Sequence, residues 1–501
     1  MLLVEVRPTA KLRGENSLDV TAALDPVLRA AVGCAETDAD LSRLRLVCDW
    51  IQYRNNFREP VEVRPVISAV PDHARNGGSA TPVELALDLR RLDGGAGAAT
   101  EAALRAHRAD GPGTADDPGR VTLEEWGPTS RSRIWAFNQL YWQHLQDWEQ
   151  ATGKTYESAL PGGRSDARNT EAVRETIGEL FAVWDALAER RALPAELYVV
   201  ELGVGNGNQA RTWLDTFVEL DRAHGREYYR RLHYLMCDYS PHVLELARAN
   251  VGDHGTHVSS LVLDAMHPMT ALGFLRFKVF LVYISNVYDN LPTDELATIG
   301  QREHLVQARA YLAGPAAAAI ARSVAVAPDA LGGLVTKLLR LGPALLADAA
   351  PAHFSGVDAA VGFWRACWDA VRLQERYVPL HGLDTYTIAP GISGELLRPL
   401  LATGGDVRLH VANGAAASFA ETLPLLHPFG RLQCHDLFVT AIDQYRTGFR
   451  GPGKYDGSVV NWVNGPLLAH IGTRKGFDVT FAPFAHRAGS HITTMTVNVR
   501  D

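Results

Sequence analysis

The sequence predicts an α/β protein with a mostly parallel β-sheet. Three observations lead to this fold class: four short apolar runs lie between residues 195 and 285 with helical patterns between the first three, a glycine-rich turn directly follows the first run, and each of the first three runs ends in an acid. Such alternation is typical of parallel sheets that helices cover. Ligands of these folds bind at the carboxyl ends of the strands.

The composition is that of a globular protein without an unusual charge. The chain has 501 residues and a formal net charge of −8, and its sequence pI is near 6.1. Surfaces that bind nucleic acid are usually basic, so we expect no nucleic-acid partner. The start, MLLVEVRPTA, lacks a signal-peptide pattern, and no later segment approaches about 18 uninterrupted apolar residues. We therefore expect a cytoplasmic protein that does not contact a membrane.

The cysteines predict neither a disulfide framework nor a metal site. They are five in number, are widely spaced and form no C-x-x-C pair. Structural zinc sites usually need such close pairs of ligands.

Composition divides the chain into five predicted regions. Residues 1–91 read as an N-terminal α+β region of unknown role, and 92–119, rich in Gly, Ala, Asp and Pro, as a linker. Residues 120–305 and 406–501 read as the two parts of the main domain. The Ala- and Leu-rich stretch 306–405 reads as a helical insertion, through which we expect any homodimer to form.

The elements of the main domain follow in order along the chain. A helical apolar pattern begins near Ser130, and a second helix is predicted from about Thr170 to Glu189. Four strands are predicted at ELYVVEL, HYLMCDYS, SSLVLDAM and KVFLVYIS, and a fifth at RLQCHDLFV. The final runs GFDVTFAPF and HITTMTVNV predict an antiparallel hairpin at the sheet's edge.

The glycine turn VVELGVGNGN indicates a ligand that backbone approaches closely. Gly203, Gly205 and Gly207, with Asn206 between the last two, lie between the first strand and a helix. A dinucleotide fingerprint needs a third glycine at the position of Asn208, so NAD is disfavoured. Glu201 at the strand end suits a cationic ligand better than a pyrophosphate. These features favour S-adenosylmethionine.

The next two strand ends supply the rest of the predicted cofactor site. Asp238, followed by Tyr239, is placed to hold the two ribose hydroxyls. Asp264, followed by Ala265, is placed near the adenine amine. The alternative for each acid taken singly is that it caps a helix or closes a turn.

The sequence then resembles the MidA-like (DUF185) family of class I methyltransferases, which includes the mitochondrial complex I assembly arginine methyltransferase. The resemblance runs from about residue 120 to the C-terminus, and the segments that carry it are GGRSDARNTEAVRETIGELFAVW, VVELGVGNGN, ISNVYDNLP, GRLQCHDLFV and YDGSVVNWVN. It implies a Rossmann-like fold, S-adenosylmethionine as cofactor and a guanidino acceptor.

Several positions depart from the family's pattern. Asn286 stands where the N-E-F-F-D-A-L-P motif has glutamate, Leu437 and Phe438 stand where tyrosine and glycine follow the later aspartate, and Trp462 stands in place of a histidine. The resemblance therefore supports cofactor binding better than it supports a particular acceptor.

The candidate catalytic residues follow the fourth and fifth strands. Ser285 is expected to face the cofactor, and Asn286, Tyr288 and Asp289 to lie where the methyl group projects. Asp289 is the first choice for orienting a cationic acceptor; the alternative is a turn residue.

After the fifth strand, His435 and Asp436 also lie on the predicted active edge. His435 could be a base or a packed core residue. The segment 449–458, with Arg450 and Lys454, could cover the substrate or be an exposed hairpin loop. Trp364, Trp368 and Trp462 could form an aromatic wall, although Trp364 and Trp368 have the spacing of core residues.

The sequence thus predicts a methyltransferase that uses S-adenosylmethionine and modifies a guanidino group of a protein or peptide. One alternative is N- or O-methylation of a small metabolite or natural product. Another is a non-catalytic assembly factor that binds the cofactor without turnover, because Asn286 replaces the motif's glutamate. No metal ion is expected, since methyl transfer from a sulfonium is a direct displacement.

Overall fold

The computed structural model describes residues 3–6, 20–35, 44–48, 56–65, 83–88, 91, 94–110, 120–159, 169–402, 405–446, 451–487 and 489–500. Within these ranges the larger sheets have four, seven and six strands, which we call the N-terminal, main and second sheets. Three two-stranded ladders accompany them.

The strands of the N-terminal sheet come first along the chain, before the other two sheets begin. Its order is β1-β2-β4-β3, with β3 antiparallel to β4 and the other pairs parallel. Its elements are β1 (Leu3–Val6), α1 (Val20–Cys34), β2 (Leu44–Cys48), β3 (Val61–Pro65), β4 (Val83–Leu87) and α2 (Ala96–Asp110). Val27, Leu46 and Leu85 are fully buried in a core of their own.

Helix α2 corrects the predicted linker over 92–119. The segment AGAATEAALRAHRAD is helical because alanine is the best helix former, although its Gly and Ala content is also typical of linkers. Ala96 and Thr100 are buried, and a Cβ on Gly97 would lie 3.2 Å from the carbonyl oxygen of Pro26 in α1. Close helix packing therefore accounts for this glycine. Residues 92, 93 and 111–119 of the predicted linker lie outside the described residues.

Three short helices come before the main sheet. The elements are β5 (Val121–Thr122), β6 (Gly127–Pro128), α3 (Arg133–Gln143), α4 (Leu145–Thr152) and α5 (Tyr156–Ala159). The helix predicted near Ser130 begins at Arg133, because Thr129–Arg131 form a 3₁₀ turn. Its buried residues Ile134, Phe137 and Tyr141 have the predicted helical spacing.

The first part of the main sheet has the predicted strands and the predicted helices between the first three, and a further short helix, Pro268–Leu272, precedes the fourth. The second predicted helix is confirmed as α6. The elements are α6 (Thr170–Glu189), β7 (Leu197–Leu202), α7 (Asn208–Ala223), β8 (Leu232–Asp238), α8 (Pro241–Asn250), β9 (Val258–Val262), α9 (Pro268–Leu272) and β10 (Val279–Ser285).

The region 306–405 is not wholly helical, which corrects the predicted helical insertion. Its Ala- and Leu-rich composition gave no sign of β12 and β13, which pair in the second sheet from His304 with Pro379 to Leu312 with Val371. The elements from 295 to 422 are β11 (Glu295–Ile299), β12 (Arg302–Leu312), α10 (Gly314–Ser323), α11 (Leu331–Ala349), α12 (Val357–Ala370), β13 (Val371–Pro379), β14 (Thr387–Ala389), β15 (Ile392–Ser393), α13 (Arg398–Leu401), β16 (Val407–His410) and α14 (Asn413–Thr422). Strand β16 also joins the second sheet rather than the main one.

The chain returns to the main sheet at β17 and ends in the predicted antiparallel hairpin. The elements are β17 (Leu426–Asp436), β18 (Phe438–Val439), β19 (Gly453–Tyr455), β20 (Ser458–Val460), β21 (Val463–Asn464), α15 (Gly465–Arg474), β22 (Phe477–Pro483) and β23 (Thr493–Val499). The main sheet has the order β22-β23-β17-β10-β7-β8-β9. Its strands from β17 to β9 are parallel, and the hairpin is antiparallel. The predicted fold class is confirmed.

One described helical stretch, Pro328–Ala349, is long and apolar enough to cross a membrane by length and composition. It is interrupted at Gly342, whose φ is 74°, and at Pro343. Leu334, Leu338 and Leu346 of this stretch are buried in a core shared with α3 and α12. Core helices of globular proteins meet the same length and composition criteria.

Candidate functional site

The glycine turn lies at the carboxyl edge of the main sheet, between β7 and α7. Gly203, Gly205 and Gly207 have φ values of 75°, 57° and 79°, which L side chains rarely adopt. The backbone N–H of Gly203 donates to the carbonyl oxygen of Cys237 at 2.8 Å. A Cβ on Gly207 would lie 2.7 Å from Cα of Ala247 in α8. The turn is therefore held against β8 and α8.

Two side chains from distant parts of the chain lie directly on this turn. The hydroxyl oxygen of Tyr156 accepts the backbone N–H of Asn206 at 3.2 Å. A Cβ on Gly205 would lie 2.4 Å from that hydroxyl, and a Cβ on Gly203 would lie 2.3 Å from Cγ2 of Val287. The glycines therefore let α5 and the loop after β10 approach the turn.

Asp238 ends β8 beside the turn and is partly exposed. Its Oδ2 accepts the backbone N–H of Gly205 at 3.1 Å, and its Oδ1 accepts that of Ser240 at 3.0 Å. A carboxylate offers about four acceptor positions, so both oxygens keep capacity for hydroxyl donors. Burial raises the pKa of Asp238 to about 6, although the backbone hydrogen bonds lower it.

The structure places the other predicted adenosine contacts on neighbouring elements. Asp264 and Ala265 follow β9 and are partly exposed, and Oδ1 of Asp264 accepts the backbone N–H of Met266 at 2.9 Å. The hydroxyl of Tyr239 accepts Nε2 of Gln143 at 2.9 Å. Helix α3 therefore covers this part of the edge.

Glu201 is buried behind the turn, on the face of the sheet that packs against α7. The hydroxyl of Tyr234 donates to its Oε2 at 2.6 Å. Burial raises the pKa of Glu201 to about 8. The side chain is only 2% exposed, so Glu201 is a buried carboxyl and not a solvent-facing carboxylate.

The loop after β10 brings three predicted catalytic residues together. Asn286 has a φ of 52°, and its N–H donates to the carbonyl oxygen of His435 at 3.0 Å. Tyr288 and Asp289 are 1% and 5% exposed. Oδ1 of Asp289 accepts Nδ2 of Asn290 at 2.7 Å. Burial, and then the neighbouring carboxyl of Asp436, raises the pKa of Asp289 well above its usual range.

Asp436 and His435 are adjacent in sequence but face opposite sides of the sheet. Asp436 is fully buried against the 286–290 loop, and burial raises its pKa to about 6. His435 lies near Tyr283 and Phe484, with ring centroids 5.4 and 5.2 Å apart. Its Nδ1 is 2.9 Å from Oγ1 of Thr494, and burial lowers its pKa to about 4. His435 is therefore neutral at neutral pH and separated from Asp289.

The structure adds site residues that the sequence analysis did not single out. Tyr156 contacts the turn, Gln209 lies in the first turn of α7, and Asn138 of α3 donates Nδ2 to the carbonyl oxygen of Asn290 at 2.9 Å. Gln209 follows the glycine turn directly, so its position could have indicated a role. Tyr156 and Asn138 have no such signal, because tertiary packing alone brings them to the edge.

The segment 451–458 does not lie open over the site. The Nζ of Lys454 is buried and donates to the carbonyl oxygens of Trp368 and Val371, the latter at 2.8 Å. Trp364 and Trp368 are core residues, 0% and 1% exposed. Trp462 packs against the core beside the main sheet. Arg450 lies outside the described residues.

Within the described ranges, no group of three or more His, Cys, Asp or Glu side chains is arranged to hold a metal ion. The arrangement does fit S-adenosylmethionine. Asp238 has acceptor capacity for two hydroxyls, and Asp264 is partly exposed at the next strand end. Ser285 Oγ and Gln209 Oε1 are buried and accept no hydrogen bond from the described residues. These atoms could accept from a polar ligand.

No protein-family model and no curated protein sequence matches the chain. Among solved structures, it is similar to a COG1565 superfamily member from Burkholderia thailandensis bound to S-adenosyl-homocysteine, with 13% identity, a TM-score of 0.42, and coverage of 74% of this chain and 88% of that chain. It is also similar to the DszA carbon methyltransferase, with 12% identity, a TM-score of 0.31 and coverage of 73% and 66%. It is similar as well to the CcbJ methyltransferase from Streptomyces caelestis, with 11% identity, a TM-score of 0.28, and coverage of 65% of this chain and 90% of that chain. Such low values leave the function to be argued from the site itself.

Proposed function

We propose that the protein is a methyltransferase that binds S-adenosylmethionine along the carboxyl edge of β9, β8 and β7. The observation that carries this proposal concerns Asp238, whose two oxygens accept backbone N–H groups of Gly205 in the glycine turn and of Ser240, the N-cap of α8, and still have acceptor capacity. A carboxylate at this point can hold a ribose diol through two charge-assisted hydrogen bonds. Asp264 would accept a hydrogen bond from the adenine amine.

The remaining residues would align the reaction. The bound cofactor would supply a methyl group activated on a sulfonium sulfur. The 286–290 loop follows β10 and packs on Gly203 through Val287, so it would border the acceptor. Asn138 holds this loop from α3 by its bond to Asn290. Alignment and exclusion of water are the contributions that such a transfer needs from the protein.

A binding experiment tests the proposal. Titration calorimetry with S-adenosylmethionine and S-adenosylhomocysteine should show binding of both, while NAD and ATP should not compete. Incubation with methyl-labelled cofactor and lysate should then label an acceptor. Absence of cofactor binding by the folded protein would contradict the proposal.

The finer proposal, from the family resemblance, is that the acceptor is a guanidino group of a protein or peptide, in a cytoplasmic setting. Asp289 would pair with the guanidinium, whose positive charge would favour ionisation of the carboxyl. The burial of Asp289 against Asp436 favours a second candidate, an uncharged acceptor in a small metabolite. Labelling of free small molecules but of no peptide would support this second candidate, and cofactor binding without any labelling would support an assembly factor. A homodimer through residues 306–405 remains part of the proposal and is testable by light scattering.

A further inference from the structure

Three phenylalanines are exposed at the amino edge of the main sheet, opposite the edge that carries the candidate site. Phe274 and Phe277 precede β10 and are each 60% exposed, and Phe429 lies near the start of β17 and is 54% exposed. Phenylalanine is among the residue types most often buried, so an exposed group of them marks a binding surface. We call Phe274, Arg276, Phe277, Lys278 and Phe429 the aromatic edge.

Backbone hydrogen bonds join the two segments that carry these side chains. The N–H of Phe277 donates to the carbonyl oxygen of Pro424 at 3.0 Å, and the N–H of Lys278 donates to that of Leu425 at 3.1 Å. Strands β10 and β17 then pair in parallel. The turn before β10 is therefore fixed against the segment that leads into β17.

The backbone of Phe277 is strained although its ring is mostly exposed. Its φ is 59°, in the left-handed region that bulky L residues rarely occupy. Asparagine or glycine would adopt this conformation at a lower cost in free energy. Burial of the ring does not repay the strain, because the side chain is 60% exposed. Strain of this kind is concentrated at functional positions, which favours a binding role for the ring.

The charge around the rings is positive. Residues 265–288 and 422–435 contain no Asp or Glu, although acids make up 57 of the 501 residues of the chain. Arg276 and Lys278 are exposed, and Cζ of Arg276 lies 5.8 Å from the ring centroid of Phe277. The aromatic edge thus combines apolar rings with two cations, and it is complementary to a surface that is anionic outside and apolar beneath.

The exposed area and the charge favour a lipid surface over a protein partner. Three rings with this exposure offer roughly 300–400 Å², whereas a stable protein interface takes about 800 Å² from each partner. In a two-fold contact with a second copy, two positively charged edges would meet, and like charges oppose such a contact. Apolar rings beside Lys and Arg are typical of segments that lie in the interface of anionic membranes.

We propose that the aromatic edge binds the surface of anionic membranes reversibly, with its rings at the level of the headgroups and Arg276 and Lys278 against anionic lipid. The sequence-based expectation of no membrane contact rested on the lack of a spanning segment, which a surface contact does not need. Strand β10 has seven residues, so the carboxyl edge lies about 20 Å from the bound lipid. The candidate site would therefore stay open to solvent.

Sedimentation with vesicles tests the proposal on the full chain. The probes are vesicles of phosphatidylcholine with about 30% phosphatidylserine, and vesicles of phosphatidylcholine alone. The protein should bind the anionic vesicles at least about tenfold more tightly, because each basic residue at an anionic surface contributes about fivefold. Added salt should weaken this binding. Absence of binding to the anionic vesicles would overturn the proposal.

The variant Phe277→Asn separates a binding role from a structural one. Asparagine removes the ring and suits the left-handed backbone, so the thermal midpoint should stay the same or rise. Binding to anionic vesicles should nevertheless fall by about fivefold or more, because a buried ring is lost. Leu345→Ser is the matched control, since Leu345 is 59% exposed on α11, and it should change vesicle binding by less than about twofold.

Three outcomes would overturn the proposal. A lower midpoint in Phe277→Asn with unchanged vesicle binding would assign the ring to the fold. Equal losses of binding in Phe277→Asn and Leu345→Ser would indicate unspecific adhesion of apolar side chains. A dimer in light scattering that Phe277→Asn dissociates, without vesicle binding, would make the edge a contact between copies. The affinity for S-adenosylhomocysteine should be the same in every variant, so this proposal and the proposed function can fail independently.

Discussion

The Asp436 carboxylate at the end of β17 accepts the backbone N–H of Tyr288 in the loop after β10, at 2.8 Å. The same oxygen accepts the N–H of Val287 at 3.1 Å, and Oδ1 accepts the N–H of Leu437 at 2.7 Å. Because Val287 also packs on Gly203, one buried carboxylate holds the loop that borders the glycine turn. Asp436 is thus a positioning residue in this structure.

Replacing Asp436 with alanine should destabilise the fold. The change leaves several buried backbone N–H groups without an acceptor, which costs about 1–3 kcal/mol for each unsatisfied group; we expect a loss of roughly 2–4 kcal/mol after local relaxation. Urea denaturation followed by fluorescence measures it. Asp348→Ala, at an exposed position near the end of α11, should stay within about 0.5 kcal/mol of the parent. Similar values for the two variants would contradict the role of Asp436.

Asp238→Ala should weaken S-adenosylmethionine binding by at least about tenfold, because it removes a charge-assisted pair of hydrogen bonds worth roughly 1.5–3 kcal/mol. Calorimetry on a variant whose circular dichroism matches the parent gives the comparison. Asp253→Ala is the control, since that side chain is 91% exposed and lies after α8. Unchanged affinity for Asp238→Ala would refute the ribose assignment.

The affinity for the cofactor should depend on pH through Asp238. Burial raises the pKa of this carboxyl to about 6 in the free protein, and only the ionised form can accept from both ribose hydroxyls. Affinity should therefore be highest above pH 6 and fall as the pH is lowered through that value. Titrations from pH 5 to pH 8 measure the change, and Asp238→Asn should flatten the profile. A profile that is the same in both proteins would assign the pH dependence to another group.

Two glycine-to-alanine substitutions should change the stability of the fold in opposite directions. Gly207 has a φ of 79°, and its Cβ would meet backbone of α8, so Gly207→Ala should destabilise the fold by about 1–3 kcal/mol. Gly178 lies on the exposed face of α6 with open space around its Cβ position. Gly178→Ala should stabilise by about 0.5–1 kcal/mol, the difference in helix propensity. Thermal unfolding of both variants measures the shift of the midpoint temperature, which should fall for Gly207→Ala and rise for Gly178→Ala. Midpoints that move in the same direction would contradict this account.

Local periodicity allowed much of the main sheet to be predicted, and long-range pairing explains what it missed. The runs that became β7 to β10 and the helix Thr170–Glu189 each have a regular pattern within a few residues. Strand β12 lies in an Ala-rich stretch, and its partner β13 begins at Val371, after three intervening helices. No local pattern encodes such a pairing.

In the candidate site, too, some positions could be predicted from local pattern and others depend on long-range packing. Glu201, Asp238 and Asp264 could be placed from sequence, because a residue that ends a parallel strand always lies at the carboxyl edge. The contact of Tyr156 with the turn depends on how α5 packs. His435 and Asp436 were both predicted at the active edge, but side chains alternate between the two faces of a strand. Adjacent residues such as these therefore point in opposite directions.

The final prediction concerns Asp289 and tests the guanidino acceptor. Asp289→Asn should keep cofactor affinity near that of the parent and lower the methylation rate by about 10²-fold or more, because an amide cannot pair bidentately with a guanidinium and stabilise its charge. In the free protein Asp289 is buried beside Asp436 and its pKa is raised. A cationic acceptor would lower that pKa and so favour the ionised carboxylate. Single-turnover rates with an identified acceptor measure the effect. Asp384→Asn is the matched control and should leave the rate unchanged, because Asp384 is exposed and is the second residue of the 3₁₀ turn Leu383–Thr385, as Asp289 is of Tyr288–Asn290. A parental rate in Asp289→Asn would show that Asp289 serves with Asp436 to shape the loop. It would also shift the acceptor from a guanidinium to an uncharged nucleophile.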